Sequence, residues 1–546
     1  MILLLFSCIL IIPVLAGWGK IMECIFGAVY DGISGKIIFG ILGLSLIWTV
    51  SAFLMPVNIY MEVPVILAGL FFFFRNKQYG YFYHFSKKDT VLLSGISLII
   101  LYCSSFYPYL LDHFGYYVPT IQWLTEYGLV KGISNLELTL GQMSVWHIFQ
   151  AGFSGFSDPF LRINAVLLII YTLYIFEKKS WIQLCFLPVL LLFSQSPSPD
   201  LPVITLSLIM LQEIISGNKN TSLLFAFSIF VFAIKPTMIW LPVLAFLYSV
   251  FIVKSGFKSL IFGTTILFLF FIKNIWTFGY PVFPVSIADL GVPWKPDPGI
   301  LQTSSQFAIQ KTFDMQYSYE AIQKFSFGDY IKNWLTLKGI KSKINILFII
   351  SIILFSVFTF VKKKKILSLI CISLLIKSVL VLVFSAQYRF FIDIFFVIFF
   401  VLFLPYLNKK RSVFIFTSGA LVLIFILSFP AFIQQYVPSF KPGNFMAGFQ
   451  KKQVCKPSVY QYKKYDTFQV GNLRFNVSKN YPFSFDSPPP SVSKESILQD
   501  LNAGIFPQCI DPKNIKKGFI RKKLSPHEKM EVENIIHNIK NTDKQN

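Results

Sequence analysis

A chain of 546 residues with 55% hydrophobic and only 14% charged side chains departs from soluble domains, in which about a quarter of the residues are charged. Its formal net charge of +23 raises the question of a nucleic-acid partner, but the lysines and arginines stand in short clusters between apolar runs and in the C-terminal tail. The composition therefore excludes an ordinary soluble domain, argues against nucleic-acid binding and predicts a polytopic protein of the lipid bilayer.

Apolar runs follow one another from the first residue onward. The run 1–16 has no basic residue before it, so we expect a retained first span rather than a cleaved signal peptide. Most later runs are near the roughly 20 residues that a helix needs to cross hydrocarbon. They lie at 37–56, 59–74, 90–107, 160–176, 181–194, 201–215, 221–235, 238–253, 259–276, 344–361, 366–384, 390–406 and 412–432. The pattern predicts an all-α polytopic integral membrane protein with about fourteen transmembrane helices.

Short basic clusters assign the two sides of the membrane. If the basic segment 75–88 is cytoplasmic, the alternation of spans places the other strong clusters on the same side, as the positive-inside rule requires. Those clusters are at 177–179, 219, 254–258, 362–365 and 409–411. The outer side then receives the long loops 108–159 and 277–343. Within the first of these loops, Glu137 is expected to be solvated.

The tail differs in composition from the rest of the chain. We expect a transmembrane domain over 1–432 and a small mixed α/β extracytoplasmic domain over 433–546, because the tail is polar and lysine-rich, with short alternating segments and a helical pattern near its end. Cys455 and Cys509 are its only cysteines. An oxidising outer face favours a disulfide between them.

Ionisable side chains stand at the outer ends of several predicted spans. They are Asp112, Asp200, Lys235, Lys273 with its neighbour Asn274, and Arg389. A charge at such a depth costs a few kcal/mol unless it is paired or lines a wet cavity. A carboxylate among several cations suits an anionic ligand together with a group that must lose a proton.

Transfer of a sugar from a polyprenyl phosphate needs both kinds of group. The lipid phosphate is anchor and leaving group, so Lys235, Lys273 and Arg389 are candidate ligands for its charge. The acceptor hydroxyl must lose a proton as it attacks, and Asp112 is the candidate base. Trp123 can stack on a sugar or lie in the membrane interface.

Each of these residues also has a structural interpretation. Asp112 and Asp200 can cap the helices that follow them. The three cations can extend toward lipid headgroups, and Arg389 can instead pair along its helix with Asp393. His147, on an aromatic amphipathic segment, is expected to be interfacial.

An acidic residue at the end of a span, followed by a long first outer loop with interfacial helices, resembles the GT-C superfamily of polytopic glycosyltransferases, which use lipid-phosphate-linked sugars. A closer resemblance is to an uncharacterised family of bacterial polytopic membrane proteins. The segments that carry it are Asp112, 116–117, 121–123, 126–128, 132–136, Gly141, 196–202, 234–236, 273–276, 279–284, 388–390 and 507–509. The GT-C resemblance implies inverting transfer with Asp112 as base, and in some branches a divalent metal held by several acids. Here His113 follows Asp112 where a second acid would stand, and this departure counts against the divalent metal that the resemblance allows. His113 is a candidate either to replace the missing metal ligand or to orient the base.

The combined prediction is a GT-C-like glycosyltransferase of the bacterial cytoplasmic membrane. It would move a hexosyl or pentosyl group from a polyprenyl-phosphate donor to an envelope glycan or lipid acceptor on the outer face, with no certain cofactor. Asp112 is the predicted catalytic residue, and the predicted substrate-binding residues are Lys235, Lys273, Asn274, Arg389, Asp200, His113 and Trp123. The alternatives are a transporter or flippase for a lipid-linked saccharide, an O-antigen-type polymerase or ligase, and a non-catalytic scaffold.

Overall fold

The computed structural model describes residues 1–436, 447–461, 463–479 and 481–545, so the predicted tail residues 437–446 lie outside it. The chain is mainly helical, as the apolar runs predict, with a small β region near the C-terminus. The helices up to residue 278 are α1 (Ile2–Phe26), α2 (Ile33–Leu54), α3 (Ile59–Arg75), α4 (Lys87–Ser104), α5 (Val118–Glu126), α6 (Val145–Ala151), α7 (Ile163–Lys178), α8 (Leu187–Leu190), α9 (Asp200–Ile215), α10 (Thr221–Ile234), α11 (Trp240–Tyr248) and α12 (Ile261–Phe278).

The later helices include those that lead into the tail. They are α13 (Pro298–Thr312), α14 (Tyr319–Gln323), α15 (Phe327–Leu335), α16 (Ile340–Lys362), α17 (Lys365–Phe384), α18 (Ile392–Phe403), α19 (Lys409–Ser428), α20 (Pro430–Tyr436), α21 (Lys494–Asn502) and α22 (Pro526–Gln545). The strands are β1 (Tyr465–Val470), β2 (Leu473–Ser478), β3 (Ile505–Cys509) and β4 (Phe519–Lys523).

Helices of membrane-crossing length recur along the chain. Within the described residues, seven are long and apolar enough to cross a membrane. They are Ile2–Phe26, Ile33–Leu54, Pro236–Val253, Phe257–Phe278, Ile340–Lys362, Lys365–Phe384 and Lys409–Ser428. Three further apolar helices are shorter, at Trp181–Phe193, Thr221–Ile234 and Ile392–Phe403. The chain is therefore a multi-pass membrane protein, while the count of about fourteen spans stays a prediction.

The chain divides into two compact units. Unit 1 comprises residues 1–202, 268–297 and 409–546, and unit 2 comprises 203–267 and 298–408. Unit 1 therefore contains the first outer loop and the tail, whereas the predicted loop 277–343 is shared between the units. Each unit has its own set of buried polar residues.

In unit 1, α1, α2 and α3 pack closely because glycines lie where their backbones meet. A Cβ added to Gly17 would lie 1.9 Å from the carbonyl oxygen of Gly69. A Cβ added to Gly40 would lie 2.0 Å from the carbonyl oxygen of Leu15. Helices in a membrane have no hydrophobic driving force for association, so they depend on close van der Waals packing. Small residues at the contacts let the backbones approach closely enough for it.

The tail contains two antiparallel hairpin-like sheets. β1 pairs with β2 from Tyr465 opposite Ser478 to Val470 opposite Leu473, and the turn between them contains Gly471 with φ +58°. β3 pairs with β4. With α21 and α22 these strands confirm the prediction of a small mixed α/β region at the C-terminus.

The tail packs on the first long loop inside unit 1. The backbone N–H of Phe519 donates to the carbonyl of Lys131 at 3.1 Å, and the Asn135 side chain donates to the carbonyl of Phe519, also at 3.1 Å. Glu137 lies buried beside Ser484. The expectation that Glu137 is solvated was wrong, because loop polarity alone does not reveal that the tail covers this segment.

The predicted disulfide is not formed in the structure. Cys455 and Cys509 are both free thiols, one exposed and one buried. Cys455 lies near the chain start, where its carbonyl accepts from the N–H of Leu3 at 3.1 Å. Cys509 belongs to β3, where Asn472 bonds both its N–H and its carbonyl at 2.9 Å. The two thiols thus belong to differently anchored segments, which the sequence did not indicate.

Unit 2 contains a buried ion pair between two of its helices. Lys377 of α17 bonds a carboxylate oxygen of Asp393 in α18, and the side chains of both are almost fully buried. The indole N–H of Trp240 in α11 donates to the other oxygen of Asp393 at 2.8 Å. The ion pair that Asp393 forms is therefore with Lys377, a residue that we had not singled out.

Candidate active site

The turn that follows Asp112 is the centre of the candidate site. α4 ends at Ser104, and His113–Tyr117 form a single π-helical turn directly before α5. Turns of this type are frequent at functional sites. Asp112 does not accept a capping bond from the turn through its side chain. The alternative in which the Asp112 side chain caps the following helix is therefore not what this geometry provides.

Buried Arg162 supports the segment before this turn. Its guanidinium donates to the carbonyls of Ser104 at 3.0 Å, Phe106 at 3.3 Å and Phe160 at 2.6 Å. The same group donates to the carbonyl of Ser458 in the tail at 2.8 Å. Because five N–H donors in a fixed fork can satisfy several carbonyls at once, one arginine joins three segments of unit 1. Sequence reasoning missed Arg162, which reads as an ordinary interfacial cation.

The segment 194–200 is held beside the turn by another missed residue, Asn164. Its side-chain amide donates to the carbonyls of Ser196 at 2.7 Å and Ser198 at 2.9 Å. The Asn164 oxygen in turn accepts the indole N–H of Trp146 at 2.9 Å. Trp146 is therefore a buried support of the site. A lone asparagine at the start of an apolar run was the available signal for this role.

The charges of Asp112 and Asp200 both act on one phenol, that of Tyr117. Burial raises the pKa of Tyr117 well above its usual value, and the charges of Tyr116, Asp200 and Asp112 raise it further. The phenol oxygen lies 3.5 Å from the hydroxyl of Ser198, which donates to Asp200 at 3.3 Å. Both carboxylates are half-buried, whereas Tyr117 is enclosed. Two carboxylates from distant segments thus both lie within electrostatic range of this phenol.

His113 lies under this face. Its Nδ1 is 2.9 Å from the hydroxyl of Ser196, and the ring is buried. Burial, and then the charge of Arg162, hold the pKa of His113 well below its usual value. The ring is consequently neutral at physiological pH and can form one hydrogen bond with the hydroxyl of Ser196. This arrangement fits the predicted role in orienting the turn that carries Asp112.

His147 and Lys273 form the inner part of the site. The His147 ring packs 5.8 Å from Tyr116 and 5.0 Å from Tyr117, centroid to centroid. Neither ring nitrogen has a hydrogen-bond partner within the described part of the chain, although His147 is buried. Burial, and then Lys273, lower the pKa of His147 to about 3. The expectation that His147 is interfacial was wrong, since the tyrosines of the turn cover it.

The predicted ligands Lys273, Asn274 and Trp123 are all buried in unit 1. Lys273 donates to the carbonyl of Met143. Its ammonium therefore does not extend to headgroups. Asn274 donates to the carbonyl of Pro281 at 2.7 Å. The Trp123 ring packs against Tyr127 and, in the tail, against Phe519.

Lys235 and Arg389 meet in unit 2. The ammonium of Lys235 lies 5.7 Å from the centre of the Phe390 ring, and the guanidinium of Arg389 lies 5.0 Å from the same centre. Two cations from segments far apart in the sequence thus lie near one aromatic ring. The buried pair of Lys377 and Asp393 belongs to the same unit, with Asp393 one helical turn after Phe390.

No group of three or more histidine, cysteine, aspartate or glutamate side chains able to hold a metal ion occurs among the residues that the structure describes.

Comparison with known proteins identifies one family. The model of a domain of unknown function, DUF8201, matches residues 1–396, which is well over half of the chain and includes the turn, the segment 194–200 and both cations of unit 2. No curated protein matches the chain. No solved structure matches it either.

Proposed function

We propose that this chain, which belongs to the DUF8201 family, transfers a sugar from a polyprenyl-phosphate donor to an envelope glycan or lipid acceptor at the outer face of the membrane. The single observation that supports this most is that two half-buried carboxylates, Asp112 and Asp200, act by their charges on the same enclosed phenol of Tyr117. A carboxylate that water and substrate can reach, backed by a rigid buried shell, is suited to general base catalysis.

Asp112 is the base in this proposal. It directly precedes the π-helical turn. Arg162 holds the segment before this turn, and Gln122 bonds the tail after it. As the acceptor hydroxyl attacks the anomeric carbon, its proton passes to the Asp112 carboxylate, and the glycosidic bond to the lipid phosphate breaks. Asp200, hydrogen-bonded to Ser198, holds the acceptor or the donor sugar by its hydroxyls.

Unit 2, taken by itself, contains Lys235 and Arg389 around Phe390, and a lysine together with an arginine can bind a phosphate. Lys273 contributes a further buried positive charge next to His147 in unit 1. These contacts support a donor that carries a phosphate on a lipid.

A transporter of a lipid-linked saccharide is the second candidate. The observation that favours it is the ion pair of Lys377 and Asp393 between apolar helices of unit 2, because ionisable residues within membrane spans often mark a substrate pathway. A polymerase or ligase would use the same cations. A scaffold would leave the carboxylate pair without a role.

The test uses the full chain in lipid nanodiscs with a panel of polyprenyl-phosphate hexoses and pentoses, and measures loss of sugar from the donor. Asp112→Asn should lower the rate by about 10²- to 10⁴-fold, the usual contribution of a general base. Asp466→Asn, in the tail hairpin, is the control and should retain the rate.

Unchanged turnover in Asp112→Asn would contradict the assignment of the base. Movement of intact donor between leaflets that persists in Asp112→Asn, without loss of sugar in either protein, would favour the transporter.

A further inference from the structure

Two segments of the tail flank the turn that carries Asp112. The N–H of Ser458 donates to the carbonyl of Ser105 at 2.8 Å, before the turn. The side chain of Gln122, after the turn, donates to the carbonyl of Phe485 at 3.1 Å. The tail is thus fixed to the chain on both sides of Asp112, and its position next to the candidate site is specified by directional bonds.

Aromatic residues of these tail segments form a continuous surface, which we call the aromatic shelf and define as Tyr460, Tyr481, Phe483 and Phe485. The ring of Tyr460 lies 5.1 Å from that of Tyr481 and 6.0 Å from that of Phe485, centroid to centroid. Tyr481 lies 5.7 Å from Phe485. Three of the four rings are half-exposed, and only Phe485 is buried.

The aromatic shelf is continuous with the candidate site. The buried ring of Phe485 packs 4.8 Å from Phe114, which is two residues after Asp112. Gly115 of the same turn faces Phe483, since a Cβ added there would lie 3.9 Å from that ring. A molecule lying on the exposed rings would therefore have one end beside the turn.

We propose that the aromatic shelf binds the saccharide of the acceptor and directs its free end toward Asp112. This inference rests on the proposed function, and it adds a binding site on the tail together with the chemical class of its ligand.

The chemistry of the shelf favours a saccharide. Sugar rings present C–H faces that pack on aromatic rings, and their hydroxyls need polar partners at the edge of those rings. Tyr460 and Tyr481 supply phenol groups at the edge of the shelf. A tyrosine therefore combines a flat apolar face for the sugar ring with a phenol that can hydrogen-bond a sugar hydroxyl.

The experiment measures saturation transfer by NMR from the full chain in lipid nanodiscs to two hexasaccharide probes, one of neutral β-linked hexoses and one of uronic acids. At least one probe should bind the natural chain. Tyr460→Leu combined with Tyr481→Leu keeps apolar bulk but removes both aromatic faces, and should weaken binding about tenfold, since each ring contact contributes about 0.5–1.5 kcal/mol.

Tyr465→Leu is the matched control, because this exposed tyrosine lines a separate cleft of about 400 Å³ that also contains Arg474 and Cys509. It should bind the probe as the natural chain does. Equal binding by the double variant, equal loss in the control, or no binding of either probe to the natural chain would overturn the proposal.

Asp112→Asn separates this inference from the proposed function. If the shelf binds saccharide, this variant should bind the probe with unchanged affinity, whether or not it consumes donor. If Asp112→Asn loses donor consumption but the shelf substitutions do not change probe binding, the aromatic shelf is not the saccharide site. The assignment of Asp112 as the base would then still stand.

Discussion

Asp393 of unit 2 and the pair Asp112 and Asp200 of unit 1 have different environments. In unit 2, Asp393 is buried, paired with Lys377 and bonded by the indole of Trp240. In unit 1, Asp112 and Asp200 are half-buried around Tyr117. A charge whose lone pairs are occupied by fixed buried partners holds helices in place, whereas one that remains accessible can accept a proton or bind a hydroxyl. The comparison separates a carboxylate enclosed among fixed partners from two carboxylates that keep a partly exposed surface.

The largest effect on stability should follow from breaking the ion pair of unit 2. Lys377→Met leaves Asp393 buried with only the neutral donor of Trp240, and removing one partner of a buried pair costs about 3–5 kcal/mol. The variant should unfold at a lower denaturant concentration or temperature in nanodiscs. Thermal unfolding followed by intrinsic fluorescence measures this difference.

The matched control replaces both charges. Lys377→Met combined with Asp393→Leu removes the unpaired carboxylate, so most of the lost stability should return, because well-packed apolar residues often substitute for a buried pair. If the double variant is as unstable as the single one, the pair contributes to stability through more than its charge. The difference in environment between Asp393 and the carboxylates Asp112 and Asp200 would then matter less than the geometry indicates.

A smaller effect, dependent on pH, should come from Glu137 where the tail covers the first loop. Burial, and to a lesser degree the nearby charge of Glu495, raise the pKa of Glu137 from 4.5 to about 7, against the hydrogen bonds of Ser484 and Ser493. The folded protein therefore holds this proton where the unfolded chain has lost it. Stability should fall as the pH rises from about 4.5 to about 7, by up to about 3 kcal/mol, and then level off.

Glu137→Gln is neutral at every pH and should remove this part of the pH dependence. The measurement is the melting temperature from pH 4.5 to pH 8 for both proteins. The two curves should lie close together at the acidic end and separate toward neutral pH, with the variant the more stable. Parallel curves would show that the carboxyl of Glu137 ionises in the folded state as it does in the unfolded chain.

Apolar runs predicted most of the helices because length and hydropathy are local properties of the sequence. The hairpin of β1 and β2 was also predictable, since alternation and Gly471 are local signals. Lys377 was overlooked as a single charge within a long apolar run, although such a charge by itself indicates a buried partner. Here the sequence contained the signal for the ion pair.

The candidate site was predictable only as a set of residue types. Asp112 and Asp200 were identified by their positions beside apolar runs, but their convergence depends on Asn164 and Arg162, which bond backbone carbonyls. Such bonds do not depend on the identity of the residue that accepts them. The tail also bonds backbone groups of the first loop, so the sequence of that loop contains no pattern that predicts the burial of Glu137.

The smallest effect should come from the hydroxyl that joins the phenol and a carboxylate of unit 1. Ser198→Ala removes contacts of 3.5 Å to Tyr117 and 3.3 Å to Asp200, and an ordinary hydrogen bond contributes about 0.5–1.5 kcal/mol to stability. The backbone carbonyl of Ser198 still accepts the Asn164 amide, so the segment should keep its position.

Donor consumption should therefore fall less than tenfold in Ser198→Ala, with the affinity for the shelf probe unchanged. Ser207→Ala is a suitable control, since its buried hydroxyl only donates to the carbonyl of Ile204 within α9. A loss in Ser198→Ala as large as that of Asp112→Asn would assign the hydroxyl a direct part in proton transfer. In that case the carboxylates of unit 1 would act through the hydroxyl of Ser198. They would then differ from the buried Asp393 as members of a hydrogen-bonded chain, and not only as single accessible groups.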